Sequence, residues 1–346
     1  MEFFSPITKK RIERFKSQKR AYYSLVIILL IYFISLFADI IANNKPIIMR
    51  YNDRYYFPAF KFYSGNNFGM SEMDIPDYKK IVKSESFKKD RRNFAIFPLI
   101  PYSPNETMED LASPPPSPPS LKNLLGTDDR GRDILTRLIY GFRISFSFAL
   151  LITFISISIG VFIGALQGYI GKIFDITVQR IIEVISALPF LYIIIILGSS
   201  IGNSLLMLII VFSLFDWIGI SYYIRAEFYR LKEMPFVEAA KSIGLSDTRI
   251  MFRHILPNAL TPVITFLPFD LIGAIFSLSA LDFLGFGLPA PTPSIGELLR
   301  QGIGNISSYW LSLFPALFLF LILLLIAFIG EGIREAFSPK TFFRIE

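Results

Sequence analysis

The chain has 346 residues, of which 53% are hydrophobic and 16% aromatic, and a formal charge of +7. That apolar content exceeds what a soluble domain of this size carries, so the polypeptide reads as an integral membrane protein rather than a basic nucleic-acid binder. With no cysteine and a single histidine, His254, it offers no disulfide and no thiolate or histidine cluster, so neither a metal site nor a resident cofactor is expected.

A hydrocarbon core about 30 Å thick needs about 20 helical residues. Six segments meet that length, at 21–42, 142–169, 178–199, 205–225, 261–282 and 309–333. The first follows a basic start, but its uncharged run from 21 to 38 is longer than the apolar region of a secretory signal, so it is expected to remain as a span. Lys and Arg then set the orientation. Residues 1–20 hold seven (Lys9, Lys10, Arg11, Arg14, Lys16, Lys19 and Arg20), and residues 225–253 hold six, whereas the connection near Gly202 holds none and 282–309 holds Arg300 alone. The positive-inside rule places both termini and the 225–253 loop in the cytoplasm. The resulting organisation is an all-α, six-span protein with a basic cytoplasmic N-terminus (1–20), a first span (21–42), an external loop or cap (43–141), a five-helix core (142–333) and a cytoplasmic C-terminus (334–346). Within the cap, YNDRYYFPAFKFY mixes aromatics with charges in the manner of a small folded unit. SPPPSPPS at 113–120 reads as an extended spacer that cannot pair its backbone.

One cytoplasmic stretch, PFVEAAKSIGLSDTRIMFRHILPN at 235–258, is too polar for the bilayer and reads as helix, glycine elbow, helix. Phe236, Ala239, Ala240 and Ile243 recur at helical spacing, with Glu238 and Lys241 off that stripe. Pro235 suits a first turn, Gly244 the left-handed residue that ends a helix, and Ser246 the cap of a second helix running toward Pro257. Ile243, Leu245 and Ile250 could bury an apolar stripe against a partner. Elsewhere, Arg180 and Glu183 are spaced for an ion pair. Asp216 and Asp270 have no basic neighbour in their own spans, so they either line a passage or bond to hydroxyls on another helix. Pro189 and Pro268 fall inside spans, where they would introduce kinks.

EAAKSIG, with thirteen steps from Gly244 to Pro257, resembles the EAA loop of bacterial ABC importer permeases. LGTDDRGRDILTRLIYGFRIS, LDFLGFGLPAPTPSIGELL and GEGIREAFSPK resemble signatures of the oligopeptide, dipeptide and nickel permease family of OppC/DppC type. SPITKKRIERFKSQKRAYYSL and IIANNKPIIMRYNDRYYFP are similar to its YejE-like branch, associated with oligopeptides and the peptide-nucleotide antibiotic microcin C. His254 departs from the aliphatic residue usual in the broader EAA consensus. The resemblance implies a type I importer core of MetI-like fold in a bacterial inner membrane, importing oligopeptides. It also implies a heterodimer with a second permease subunit, cytoplasmic ATP-binding subunits or a fused double ATPase, and an external peptide-binding protein. Glu238, Ala239, Ala240, Ile243, Gly244, Leu245 and Pro257 would then form the ATPase-coupling surface. The chain itself lacks a phosphate loop, because GYIGK at 168–172 has the wrong glycine spacing and is followed by Ile173. Two other readings compete. An intramembrane aspartyl protease would use Asp216 and Asp270, but neither lies in a GxGD pattern, and an ATP-independent secondary transporter would have no use for the polar loop.

Overall fold

Backbone N–H and C=O groups find no partner in hydrocarbon, so apolar runs of this length must close their hydrogen bonds within helices. The computed structural model describes residues 6–71, 74–111 and 113–338. A basic helix α1 (Pro6–Ser17) breaks at Gln18 before the apolar α2 (Lys19–Leu36), and a single turn α3 (Ala38–Ile41) follows. The segment up to the second span holds β1 (Ile48–Tyr51), β2 (Arg54–Tyr56), α4 (Tyr78–Lys83), α5 (Glu85–Lys89) and β3 (Phe94–Ile96). Beyond it come α6 (Ile134–Ile170), α7 (Lys172–Ala187), α8 (Phe190–Ile201), α9 (Leu205–Phe215) and α10 (Trp217–Leu231). The polar loop holds α11 (Pro235–Ser242), α12 (Asp247–Arg249) and α13 (Leu256–Ala259), and α14 (Thr261–Leu284), α15 (Ile295–Gly304) and α16 (Trp310–Phe337) complete the chain.

Five helical segments are long and apolar enough to span a membrane: α2, α6, the α9–α10 run, α14 and α16. The span expected at 178–199 breaks at Pro189, where a kink was expected, into two helices, α7 and α8, bent by 68°. Pro189 has no N–H to continue the ladder, and Leu188 before it is held extended at φ −75°, ψ 126°. Counted as one broken span, the pair brings the total to six. The expected tail 334–346 falls partly outside the described residues, as does the start of the basic N-terminus.

The chain divides into two compact units, one comprising Met1–Leu29, Ser145–Pro289 and Phe320–Glu346, the other Leu30–Ile144 and Ala290–Leu319. In the second unit, the strands form an antiparallel sheet in the order β2-β1-β3. Its inner face, with Met49, Tyr51 and Tyr56, packs on Phe68, Tyr78, Ile81 and Phe87. Tyr51 and Phe87 stack at 5.9 Å with planes 4° apart. Asp77 starts α4 by accepting from the N–H groups of Lys79 and Lys80. The segment thus folds around an aromatic core and adds a β element to an otherwise helical protein. The proline-rich segment differs from the expected free spacer. The Ser117 N–H donates to Thr127 Oγ1 at 2.8 Å, and the Thr127 N–H donates back to the Ser117 carbonyl at 2.9 Å. Serines interrupt the prolines and supply the N–H groups that the prolines lack.

The first unit is organised by close approach of α6 to α10. Gly160, Gly164 and Gly168 recur every four residues and so share one helix face. A Cβ at Gly160 would lie 2.7 Å from the Trp217 carbonyl oxygen, at Gly164 2.5 Å from that of Ser221, and at Gly168 2.6 Å from that of Arg225. Small residues let two membrane helices meet backbone to backbone, where dispersion replaces the hydrophobic drive that lipid cannot supply. Gly219 on α10 has open space around it. Gly164→Leu is therefore expected to lower stability by about 1–3 kcal/mol through overpacking, whereas Gly219→Ala leaves it unchanged. Thermal unfolding of the purified variants in detergent checks the pair.

Candidate functional site

The loop between α10 and α14 is built as the sequence pattern requires and faces a different way. Pro235 occupies the first turn of α11, where its missing N–H costs nothing. The helix ends in a Schellman turn: the Gly244 N–H donates to the Lys241 carbonyl at 2.9 Å, and the Leu245 N–H reaches back to that of Ala240 at 3.2 Å. Gly244 takes φ +79° with nothing within 4 Å of a would-be Cβ, so backbone conformation rather than space selects glycine. Ser246 stands at the start of α12 but makes no side-chain cap. The backbone then widens into a six-residue π-helical stretch, Ile250–Ile255, ahead of Pro257 in the first turn of α13. Proline cannot donate to the ladder, so widening the preceding turn absorbs the lost register.

Burial splits the loop's apolar residues into two faces. Val237 and Ile250, both 0% exposed, join Ala240, Met251, Ile255 and Ala259 in a cluster with Ala165 of α6 and Ile224 and Phe228 of α10. Leu245 packs partly against the same cluster. Phe236, at 39% exposure, and Ile243, at 76%, point away from it, with Ala239 exposed beside them. Glu238 and Pro257 are exposed as well. The expected single stripe is thus corrected. Ala240, Leu245 and Ile250 hold the loop to its own chain, leaving Phe236, Ala239 and Ile243 as the outward apolar face. Each buried aliphatic side chain on the inner face contributes about 1.5–3 kcal/mol toward fixing the loop.

The polar partners of this region are not visible in the motif. Tyr169, at the end of α6, donates its hydroxyl to Asp247 Oδ1 at 2.5 Å, tying α6 to α12. Asp175 on α7 accepts from Arg225 Nε and Nη2 of α10, each at 2.6 Å, from the Tyr229 hydroxyl at 2.6 Å and from Gln167 Nε2 at 3.3 Å. Arg180 and Glu183 form the expected surface pair at 2.6 Å. Asp216 sits in the break between α9 and α10, and Asp270 lies within α14 with a buried, unpartnered Oδ2. Asp216 lies near Asp270 and within reach of the Ser156 hydroxyl of α6, and among the described residues neither carboxylate has a cationic partner. Pro268, two residues before Asp270, lies inside the continuous helix α14 and does not break it as Pro189 breaks its span. His254 is half-buried, and no group able to hold a metal ion occurs among the described residues.

In the second unit, two of the sequence blocks meet. Arg132 Nε donates to Asp128 Oδ2 at 2.6 Å, and Arg137 donates through Nη2 to Glu297 of α15 and through Nη1 to the Pro104 carbonyl at 2.9 Å. Asp128, Arg132 and Arg137 are buried, so their charges are stable only because each is paired. Asp133 Oδ1 accepts the Thr136 N–H at 2.8 Å at the start of α6. Beside this lattice, burial and then the Asp128 carboxylate push Asp129 above the usual carboxylate range. A raised folded-state value means that a protonated Asp129 stabilises the fold in acid and that this contribution is lost as pH rises through the folded value. Asp129→Asn is therefore expected to melt above wild type at neutral pH, with the gap closing toward about pH 4, the ordinary carboxylate value. Melting curves across that range check the sign.

Known proteins match the chain along nearly its whole length. A family model described as binding-protein-dependent transport system inner membrane component matches residues 156–343. Another, for the N-terminal TM domain of oligopeptide transport permease C, matches residues 8–59. The chain is 41% identical over 340 residues to the inner membrane ABC transporter permease protein YejE of Escherichia coli (strain K12), covering 98% of this chain and 99% of that protein. It is 38% identical to the peptidoglycan transport system permease protein YejE of Agrobacterium fabrum, with 99% and 95% covered. The oligopeptide transport system permease protein OppC of Haemophilus influenzae is 36% identical over 243 residues, or 70% and 78% of the two chains.

Proposed function

This chain belongs to the binding-protein-dependent transport inner membrane components, the permeases of ABC importers, and on that premise we propose that it conducts oligopeptides and takes its driving force through Phe236, Ala239 and Ile243. It is a non-catalytic, multi-pass inner-membrane subunit that works with ATPase subunits and a substrate-binding protein. Family membership removes both the aspartyl protease and the self-sufficient transporter. Pairing with a second, homologous permease as a heterodimer, and both termini in the cytoplasm, complete the proposal. The orientation draws its support from the Lys and Arg bias, which puts the loop on the side where ATP is available.

The observation that carries the coupling role is the division of the loop into two apolar faces. A surface helix that must transmit force needs one face bonded firmly to its own scaffold and another free for a groove on the partner. Glu238, Lys241 and Pro257 are exposed as well, and the left-handed turn at Gly244 ends the helix where a partner could close over it. The roles of the two faces are separable. Ile243→Asp is expected to abolish co-purification with the ATPase and ATP-dependent peptide uptake in proteoliposomes, with the melting temperature unchanged. Ile250→Ala is expected to do the reverse at first order, lowering stability by about 2–5 kcal/mol through the cavity it leaves. Peptide uptake by the wild-type chain alone, without ATP or partners, would overturn the reading.

Asp216 and Asp270 fit a passage for peptides with a cationic terminus. Two carboxylates held near each other without a cation are costly in a span, so a positively charged cargo group is the natural complement. Asp216→Asn and Asp270→Asn are each expected to reduce the preference for cationic over anionic peptides, read as relative uptake of a labelled lysine-containing and a glutamate-containing tripeptide. An unchanged preference in both variants removes the passage role.

A further inference from the structure

Helix α7 is held to its neighbours along one narrow stripe. Asp175, Val178, Ile182 and Ile185 recur at i, i+3, i+7 and i+10, while Ile173, Ile176 and Val184 on the other faces are exposed. The apolar part of the stripe lies against Ile159 and Ile163 of α6 and Trp217 and Ile218 of α10. Such contacts are non-directional and permit a helix to slide or roll. Asp175 differs in kind. Its two oxygens receive both arms of the Arg225 guanidinium, the Tyr229 hydroxyl and the Gln167 amide, which fixes the rotation of α7 as well as its distance. Among the described residues, no other α7 side chain bonds to a different helix.

The two ends of α7 are both jointed. At its start, Gly171 and Lys172 take consecutive positive φ values of +65° and +52°, a tight turn out of α6. At its end, the chain bends by 68° into α8. The helices that supply the Asp175 donors, in contrast, are fastened to the loop. Ala165 and Leu166 of α6 and Phe228 and Leu231 of α10 share a core with Val237, Ala240 and Ile250, and Tyr169 bonds to Asp247. A displacement of the loop therefore moves the cytoplasm-proposed ends of α6 and α10 directly and reaches α7 with defined orientation through Asp175.

We propose that Asp175, clamped by Arg225 and Tyr229, is the positioning residue that converts displacement of the 235–258 loop into rotation of α7 and of its bend into α8. The proposal rests on the reading of that loop as the ATPase seat. The test uses the complete importer, with its ATPase and binding protein, in proteoliposomes, scoring labelled tripeptide taken up per ATP hydrolysed. Asp175→Asn keeps the shape and loses the charge. It is expected to lower that ratio about tenfold, the scale of one lost charge-assisted interaction, while ATP hydrolysis stays within about twofold of wild type. The charge exchange Asp175→Arg with Arg225→Asp is expected to recover part of the ratio. Uptake and hydrolysis falling in proportion, or an unchanged ratio, overturns the clamp. Where Asp175→Asn fails to assemble, Tyr229→Phe, which spares the ion pair, must still lower the ratio, and an unchanged ratio there also overturns it. Wild-type complex that takes up no peptide with ATP would overturn the transport reading itself, and the clamp with it.

Discussion

Backbone-to-backbone packing of α6 on α10 through Gly160, Gly164 and Gly168 sets the geometry of everything around the loop. Because no side chain intervenes, the two helices behave as one rigid pair, and the next residues along each, Tyr169 and Leu231, leave that pair in fixed positions. The loop then docks on a surface that is already formed. Val237, Ala240 and Ile250 seat it, and the Schellman turn at Gly244 lets the chain reverse without spending any of those contacts. A rigid seat is what allows eight residues of α11 to act as a lever rather than a flap.

The consequence for function is a division of labour between helices that are fixed and helices that are jointed. α6 and α10 are continuous with the loop through packed side chains, whereas α7 and α8 are separated by the bend at Pro189. In an importer driven by its partner's ATP cycle, the bundle must favour different arrangements at different stages, and a ligand or motor can shift that balance only by contacting the two arrangements differently. A broken span with directional bonds at one end meets that need, since those bonds define which orientation of α7 each arrangement favours.

The sequence made the loop legible because a polar run between apolar spans has few places to be, and because Pro235 and Gly244 mark a helix start and stop by their backbone chemistry alone. It misled on which face does what. Phe236, Ala239, Ala240 and Ile243 lie close enough on a helical wheel to read as one stripe, yet the buried face centres on Val237 and Ala240, and only packing against α6 and α10 decides between the two. At 178–199 hydropathy marked the span and Pro189 its kink, but neither carries the size of the bend, 68°, which packing sets. The partners of Asp175 lie 8, 50 and 54 residues away, and Glu297 meets Arg137 across 160. Pairings at such separations leave no periodic trace, so a single sequence could name the charges without naming what they bind. The serines at 113–120 were hidden in the same way, by the prolines around them.

How each charge is satisfied separates the roles that the ionisable residues play. Asp128, Arg132 and Arg137 are buried and pair with one another and with the half-buried Glu297, an arrangement in which removing any one strands another, so they suit a part that does not move. Asp175 is also buried, but its partner Arg225 remains partly exposed and two neutral donors share the load, so the bonds can re-form after a shift without leaving a bare charge behind. Asp216 and Asp270 have no cation among the described residues, and α9, α10 and α14 supply none from their apolar faces. Asp216 reaches the Ser156 hydroxyl of α6, whereas Asp270 Oδ2 is buried without a partner, and a carboxylate left so in a span needs its complement from water or a passing cation. In the proposed reading that complement is the cargo, which binds only as firmly as an unshielded carboxylate pair allows and is released when the helices carrying the two residues move apart.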